Sequence, residues 1–494
     1  MRHVLAIDEG TTGVTAIVQA EDGRVVGRGY QEIAQHFPEP GWVEQDADEL
    51  FSATIAAGRA AIAASGVTPD VLGLTNQRET LVAWDRRTGR ALHRAIVWQD
   101  RRTAARCREL EPHSAMIRAR TGLVTDPYFT ATKLEWLIRE RGLLDGPQRE
   151  HAAAGTVDSW LLWKLTGGAT FATDHTNASR TMLYDIDERR WSAECCDLFG
   201  VPTSLLAEVR ESISDFGVAG AEHFGVALPI HGVAGDQQAA LFGQGCVNAG
   251  DAKNTYGTGA FLLMNAGSGR PAAGEGILVT IGCDGSGAPV YALEAAILVA
   301  GAAVQWLRDG LGIIEAASET EALARSLTSN DGVYFVPALT GLGAPEWEPD
   351  ARGTIVGLTR GTNRAHLARA ALEAMAFGTA GVIEAMAGGA GPRFSGRLRV
   401  DGGATSNDWL MQFQADVLGA AVERPENVET TVLGAAALAG IGAGIWSDHA
   451  RFQSRHASRV FEPGVGRETA ARARQGWQRA VRATLSWARD HDGT

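Results

Sequence analysis

A chain of 494 residues exceeds what one hydrophobic core can organise, since single cores stop growing at roughly 250 to 300 residues, so two large domains are expected. With 45% hydrophobic and 21% charged residues the composition is that of an ordinary globular protein. A formal net charge of -13 opposes a nucleic-acid partner, because such binding depends on Lys and Arg neutralising phosphates. An anionic ligand must then be gripped locally, by backbone N–H groups, a metal ion or a few side chains, which points to a metal-bound nucleotide. The cysteines (Cys107, Cys195, Cys196, Cys246 and Cys283) are odd in number and show no C-x-x-C spacing, so neither a disulfide framework nor a zinc site is indicated. No signal-length apolar stretch precedes Asp8 and Glu9, and no run approaches the roughly 18 apolar residues of a membrane helix. A cytoplasmic protein without membrane insertion is expected.

In chain order, an apolar strand over 4–7, a Gly/Thr turn over 8–13 and a second strand over 14–18 read as a hairpin. Strand candidates follow at 71–74 and 81–84, and large apolar residues at helical spacing mark helices over 133–138 and 159–165. A strand over 230–234 runs into a helix over 237–242, with Asp236 at the junction, where its plain reading is an N-cap. Gly243, Gly245 and Gly250 then break an apolar stretch, which divides the chain into domains 1–247 and 248–494. The opening hairpin recurs at once: strand 252–256, Gly257-Thr258-Gly259, and the apolar run 260–264. Two halves that open alike suggest two related domains facing one another. Farther on, a strand over 398–400 ends in Asp401-Gly402-Gly403 and leads to a helix carrying Trp409, Leu410 and Phe413 on one side. A terminal amphipathic helix over 468–488 has an Arg-rich face that reads as solvated.

The only lysines are Lys133, Lys164 and Lys253, and none follows a glycine, so the P-loop class is excluded. Protein-kinase motifs and a strand-borne G-x-G-x-x-G are also missing. A hairpin tip of Gly and Thr is another phosphate cradle, because glycine lets the backbone approach while N–H groups and hydroxyls point at one anion. Two such tips would grip a triphosphate from both sides. Asp8, ending the first strand, is a candidate Mg²⁺ ligand, with a turn-stabilising Asx residue as the plain alternative.

Four segments carry a resemblance: Asn76-Gln77-Arg78-Glu79-Thr80, Ile96-Val97-Trp98-Gln99, Asp126-Pro127-Tyr128-Phe129 and 235–243 with Asp236-Gln237-Gln238. Together with 128–140 and 353–373 they closely resemble the FGGY carbohydrate kinases, in particular members that phosphorylate glycerol, over about residues 3–485. The resemblance implies an α/β fold of two related actin-like ATPase (ribonuclease H-like) domains with the active site in the cleft between them. It implies ATP and Mg²⁺ as cofactors, glycerol as the small-molecule partner, and a homodimer or homotetramer. The polyol is then held by Arg78, Glu79, Trp98, Tyr128, Asp236, Gln237 and Phe261; the nucleotide by Thr11, Thr12, Thr258, Gly301, Gln305, Gly403 and Asn407; and the metal by Asp8 and Asp236. Asp236 is the catalytic residue expected to accept the hydroxyl proton.

Singly these residues have plain readings: Trp98, Tyr128 and Phe261 as core aromatics, Arg78 and Glu79 as a surface pair. Inside the matching motifs they read as a site, because Arg supplies fixed donors, carboxylates accept, and aromatic rings cover the CH groups of a polyol. Alternatives are a kinase for another small polyol or ketose, such as dihydroxyacetone or erythritol, or a catalytically weak nucleotide-binding sensor on the same fold. The first hairpin departs from the common Asp-Gln-Gly-Thr-Thr/Ser-Ser pattern, with its Arg or Lys two positions beyond, by carrying Glu9, Gly13 and Thr15. A lost hydroxyl, a lost cation and an added negative charge predict a weaker hold on ATP. Segment 219–229 lacks the Arg of a sugar-bisphosphate loop, and His223 reads as a solvated loop residue.

Overall fold

The computed structural model describes residues 1–274, 276–388, 391–464 and 466–490. Strand β1 (His3–Glu9) turns into β2 (Gly13–Ala20), and β3 (Val25–Glu32) completes an antiparallel meander. Val4 to Ile7 are fully buried on both faces, which is why this strand reads as a continuous apolar run. Helix α1 (Ala47–Ser65) starts at Asp46, whose side chain accepts the N–H groups of Asp48 and Glu49, and stops at Gly66 with φ 66°. Strand β4 (Val71–Asn76) lies parallel to β1, and β6 (Leu228–Gly235) parallel to β4, with the short β5 (Val218–Ala219) at the edge. The sheet order is β5-β6-β4-β1-β2-β3. Between β4 and β5 lies a long insertion with helices α2 (Thr130–Arg141) and α3 (Val157–Leu165) and the strand Val82–Asp85. Helix α4 (Asp236–Gly243) follows β6.

The second half repeats this plan. Strands β7 (Ala252–Tyr256) and β8 (Ala260–Gly267) form the second hairpin, extended by β9 (Leu278–Cys283) and β10 (Pro289–Ile297). Then come α5 (Gly301–Gln305), α6 (Arg364–Ala387), β11 (Arg397–Asp401), α7 (Asp408–Leu418), β12 (Ala421–Pro425), α8 (Thr430–Gly442), β13 (Ser458–Phe461) and α9 (Arg467–Arg489). The sheet order is β9-β10-β8-β7-β11-β12-β13. Strand β7 is antiparallel to β8 and parallel to β11, as β1 is to β2 and β4, and β12 extends the parallel side as β6 does. The Gly/Thr recurrence in the sequence is thus the visible end of a repeated topology, a meander followed by two parallel strands.

Helix α8 belongs to the second half by sequence but packs on β1, β4 and β6 of the first sheet and on α4. Glycines permit this approach: a Cβ on Gly73 of β4 would lie 2.2 Å from the Ala435 carbonyl oxygen, and one on Gly232 of β6 would lie 2.4 Å from the Ala439 nitrogen. Where α4 and α8 cross, a Cβ on Gly434 would meet the Ala239 oxygen at 1.9 Å, and one on Gly243 the Thr430 oxygen at 2.4 Å. The chain passes between the halves over 244–251 with Gly245 and Gly250 at φ 79° and 89°, a conformation that favours glycine.

Helix α6 is long and apolar enough to cross a membrane by length and composition, contrary to the expectation from apolar runs, and most of it is buried in the second core. The terminal helix α9 extends the predicted one by a residue at each end and buries Ala470, Gly476, Ala480 and Val481, with Trp477 stacked on Phe377 at 5.6 Å. All five cysteines are free and buried.

Candidate active site

The residue after β4 that begins the site is Arg78, which together with Glu79 is almost wholly buried, at 3% and 1% exposure. The plain reading of these two as a surface pair is therefore wrong. Arg78 grips Glu294 of β10 bidentately, at 2.7 and 3.0 Å, and its Nε lies 3.0 Å from Asp236 Oδ1. Arg180, also fully buried, donates to Glu79 Oε1 at 2.6 Å and to Glu294 Oε1 at 3.2 Å. Burial opposes ionisation of Glu294, but Arg180 and Arg78 outweigh it and hold the carboxyl down at about 2. Buried charges survive only when paired in this way, so the cluster is a rigid frame that crosses from one half of the protein to the other.

Glu79 has φ 62°, strained for a residue with a side chain. Its carbonyl is held by Thr130 Oγ1 at 3.1 Å and by Lys133 Nζ at 3.2 Å, both from α2; the same ammonium donates to the Tyr128 carbonyl at 2.8 Å. Burial pushes the Lys133 ammonium down to about 7. One helix thereby fixes the backbone at both Glu79 and Tyr128.

Trp98 and Tyr128 meet edge to face with ring centroids 5.5 Å apart, and Asp126 Oδ1 accepts the Tyr128 N–H at 2.8 Å. Both aromatics, and Phe261, are only half-buried, whereas the neighbouring Phe129 is wholly buried. Tyr128 packs against the core cluster that contains Phe129 and, like Trp98 and Phe261, keeps part of its ring exposed. Sheet register places Phe261. Thr255 lies opposite Phe261, and Lys253 and Glu294 both lie opposite Leu263, two residues along; paired residues share a face, so Lys253, Thr255, Phe261 and Glu294 point the same way. On that face Lys253 donates to Gln237 Oε1 and Glu294 holds Arg78.

Asp236 is the first residue of α4, and Gly235 occupies the cap position with no side-chain cap, which corrects the N-cap reading. Asp236 Oδ1 accepts the Gln237 N–H at 2.6 Å and faces Arg78 Nε. Oδ2 has no partner among the described residues and is free to take a proton.

Across the cleft a cavity of about 470 Å³ is lined by Thr258, Gly301, Gln305, Gly403 and Asn407, five of the seven residues expected at the nucleotide. The tip of the second hairpin is fastened by its carbonyls: Gly257 O accepts from Gly301 N, and Thr258 O from the N–H groups of Ala300 and Ala302. Gly257 N–H donates to Gly259 O at 2.9 Å, and the Thr258 hydroxyl has no partner among the described residues. Asn407 caps α7 through Leu410 N at 2.9 Å. Thr11 and Thr12 are not part of this lining. They sit on the first tip, where Trp98 Nε1 donates to Thr11 Oγ1 at 2.9 Å and Gln45 Nε2 to the Thr11 carbonyl at 2.7 Å, which ties that tip to the aromatic wall.

Asp8 is half-buried without a hydrogen-bond partner among the described residues, and burial, then the nearby Asp236 and Glu429, push its carboxyl up to about 8. Such a carboxylate suits a hard cation, which would relieve both effects. Among the described residues no group of three or more His, Cys, Asp or Glu could hold a metal by itself, so phosphate oxygens would complete the shell. Glu9 does not act as the added charge expected from sequence: it is fully buried, hydrogen-bonded by Gln77, and burial holds its pKa well above the carboxylate range. The place of a side chain at Gly13 is taken by the Tyr30 hydroxyl, which a Cβ there would meet at 2.5 Å. His223 lies in the short helix Ala221–Phe224, half-buried and edge-on to Phe51 at 5.4 Å, rather than in a solvated loop.

Sequence reading missed Arg180, Glu294 and the roles of Lys133 and Lys253. Glu294 had a signal, as a lone acid inside the otherwise apolar strand β10. Lysine rarity was a second signal, used only to exclude a P-loop. Arg180 had none.

Two halves of repeated topology, with a cavity in the second and an Arg-framed aspartate at the end of the first, make up a two-domain kinase of the actin-like fold. Residues 3–243 match the N-terminal domain of the FGGY family of carbohydrate kinases and residues 252–443 its C-terminal domain, and the chain belongs to that family. It is 51% identical over 494 residues to a glycerol kinase of Dechloromonas aromatica, covering 99% of this chain and 98% of the relative. It is 50% identical over 500 residues to one of Halorhodospira halophila, covering 100% and 98%. Among solved structures, glycerol kinase of Plasmodium falciparum with ADP superposes with TM-score 0.92 at 35% identity, covering 98% of each chain.

Proposed function

We propose that this kinase transfers the γ-phosphoryl group of ATP to a terminal hydroxyl of glycerol, giving sn-glycerol 3-phosphate and ADP. The observation that carries the reading is Asp236. One carboxylate oxygen is immobilised by Arg78 and Gln237 while the other is free, in a site walled by half-buried Trp98 and Tyr128. The acceptor hydroxyl oxygen forms the new bond to the γ-phosphorus as the bond to the bridging β–γ oxygen breaks. ADP leaves, and the hydroxyl proton passes to Asp236 Oδ2. Arg78 holds Asp236 in place, and the two hairpin tips offer hydroxyl and N–H donors to the phosphates. Mg²⁺ fits beside Asp8, where it would neutralise phosphate charge; Asp236 is its second expected ligand. The glycerol kinases to which the chain is about half identical over its full length support glycerol over a longer sugar.

Glu9 is fully buried and hydrogen-bonded by Gln77, so its carboxyl does not face the phosphates as an exposed charge would. The enzyme is read as cytoplasmic from its cysteine usage, and as a homodimer or homotetramer on the family resemblance alone, and light scattering on the purified protein checks the latter. The decisive assay is ADP release with ATP and glycerol, compared with dihydroxyacetone, erythritol and no acceptor, with the product identified by mass. Glycerol-dependent turnover far above the background ATPase is expected; equal rates with and without acceptor would remove the reading.

A further inference from the structure

Of 45 lysines and arginines only Lys133, Lys164 and Lys253 are lysine. Lys164 pairs with Asp48 at 3.3 Å near the surface, whereas Lys133 and Lys253 are wholly buried and both bond to residues of the expected polyol site. In a chain that uses arginine nearly everywhere, a buried lysine marks a place that fits one compact ammonium and not a planar five-donor fork. Lys133 is accounted for by the carbonyls of Glu79 and Tyr128. Lys253 is not, since its Nζ is bonded to two side chains, Gln237 Oε1 and Thr255 Oγ1, the latter at 2.8 Å.

An ammonium has donors only, so the oxygen of the Gln237 carboxamide must face it and the NH₂ end must point away. Among the described residues the Gln237 side chain has no other partner, and it stands half-buried beside Asp236 at the start of α4. Its two amide hydrogens are left for the cleft. Burial lowers the Lys253 pKa, which Asp401, Asp236 and Glu294 oppose at longer range and Arg78 reinforces; among the described residues no carboxylate is hydrogen-bonded to Nζ in competition with Gln237.

We propose that Lys253 is a positioning residue for the phosphoryl acceptor: it locks Gln237 so that amide N–H groups, not the amide oxygen, meet a hydroxyl of the polyol. The inference rests on the glycerol reading. If Lys253 acts through Gln237, its effect should vanish once Gln237 is gone. Steady-state KM for glycerol, KM for ATP and kcat are to be measured for wild type, Lys253→Met, Gln237→Ala and the double variant, with thermal unfolding as a fold control. Each single substitution is expected to raise the glycerol KM about tenfold and move the ATP KM less than about twofold; the double should match Gln237→Ala alone within about twofold. Multiplying effects, about a hundredfold in the double, or an unchanged glycerol KM in Lys253→Met, would overturn it.

A variant that leaves Lys253 in place guards against misfolding of the lysine substitution. Gln237→Glu keeps an oxygen for Lys253 but replaces the N–H donors with an acceptor, so the glycerol KM should rise as far as in Gln237→Ala. A wild-type KM in Gln237→Glu would equally overturn the inference. Wild-type turnover with glycerol separates the two levels: without it the proposed substrate falls and the inference with it, and with it a multiplicative result removes only the role of Lys253.

Discussion

The two hairpin tips occupy equivalent places in the repeated topology, yet they are built for different tasks. The first, at 8–13, carries a carboxylate, Asp8, and is tied through Thr11 to the indole of Trp98, so its position depends on the wall of the acceptor site. The second, at 257–259, has no charged side chain and is pinned by its own carbonyls to the N–H groups of 300–302. Thr258 lines the 470 Å³ cavity. One fold thus yields two tips with different groups left free, because neighbours from outside the hairpin decide which groups are tied.

The contrast can be broken first at the reacting centre, where the largest effect is expected. Asp236→Asn keeps an acceptor oxygen for Arg78 but removes the proton-accepting carboxylate, and kcat in the ADP-release assay should fall about 10²- to 10⁴-fold with either KM little changed. A kcat within tenfold of wild type would take Asp236 out of the chemistry.

Next is the frame that links the halves. Glu294→Gln strips the bidentate partner from Arg78 and a partner from Arg180, leaving buried cations undercompensated. Denaturant unfolding should show a loss of roughly 3 to 5 kcal/mol, and stability near wild type would show the network to be dispensable.

The nucleotide side is tested alone by Gly403→Val. Gly403 has open space around its Cβ position, so the new side chain should project into the cavity without disturbing the fold. About a tenfold rise in ATP KM with an unchanged glycerol KM is expected; equal rises in both would mean the two sides are not separable there.

The smallest effect belongs to the tether. Trp98→Phe keeps an aromatic wall but deletes the N–H donated to Thr11, a bond worth about 0.5 to 1.5 kcal/mol. Glycerol and ATP KM should both rise about two- to tenfold, because one bond serves both sites, and a change confined to glycerol would deny the coupling.

The parts legible from sequence were those with local cause. Both hairpins, the strand at 71–76 and the junction at Asp236 announce themselves through apolar runs bounded by Gly, Thr and Asp. Family motifs then gathered Arg78, Trp98, Tyr128 and Gln237 into one expected site. What stayed hidden were partnerships across long stretches of chain. Arg78 meets Glu294, 216 residues away, and Arg180 meets Glu79, 101 residues away, with no periodicity to betray either pair. Helix α8 was invisible as a bridge for the same reason, since small residues such as Gly434 and Ala435 look alike whichever sheet they cover.

Sequence alone determined that the chain forms two α/β halves opening on Gly/Thr hairpins, with an aspartate at a strand-to-helix junction, because these follow from side-chain period and from the conformational freedom of glycine. Tertiary structure alone decided the charge states and orientations that make a site. Burial raises the Glu9 carboxyl, Arg180 and Arg78 hold that of Glu294 down, and Gln237 Oε1 faces Lys253, because burial removes water and leaves only the nearest protein groups to satisfy each polar atom.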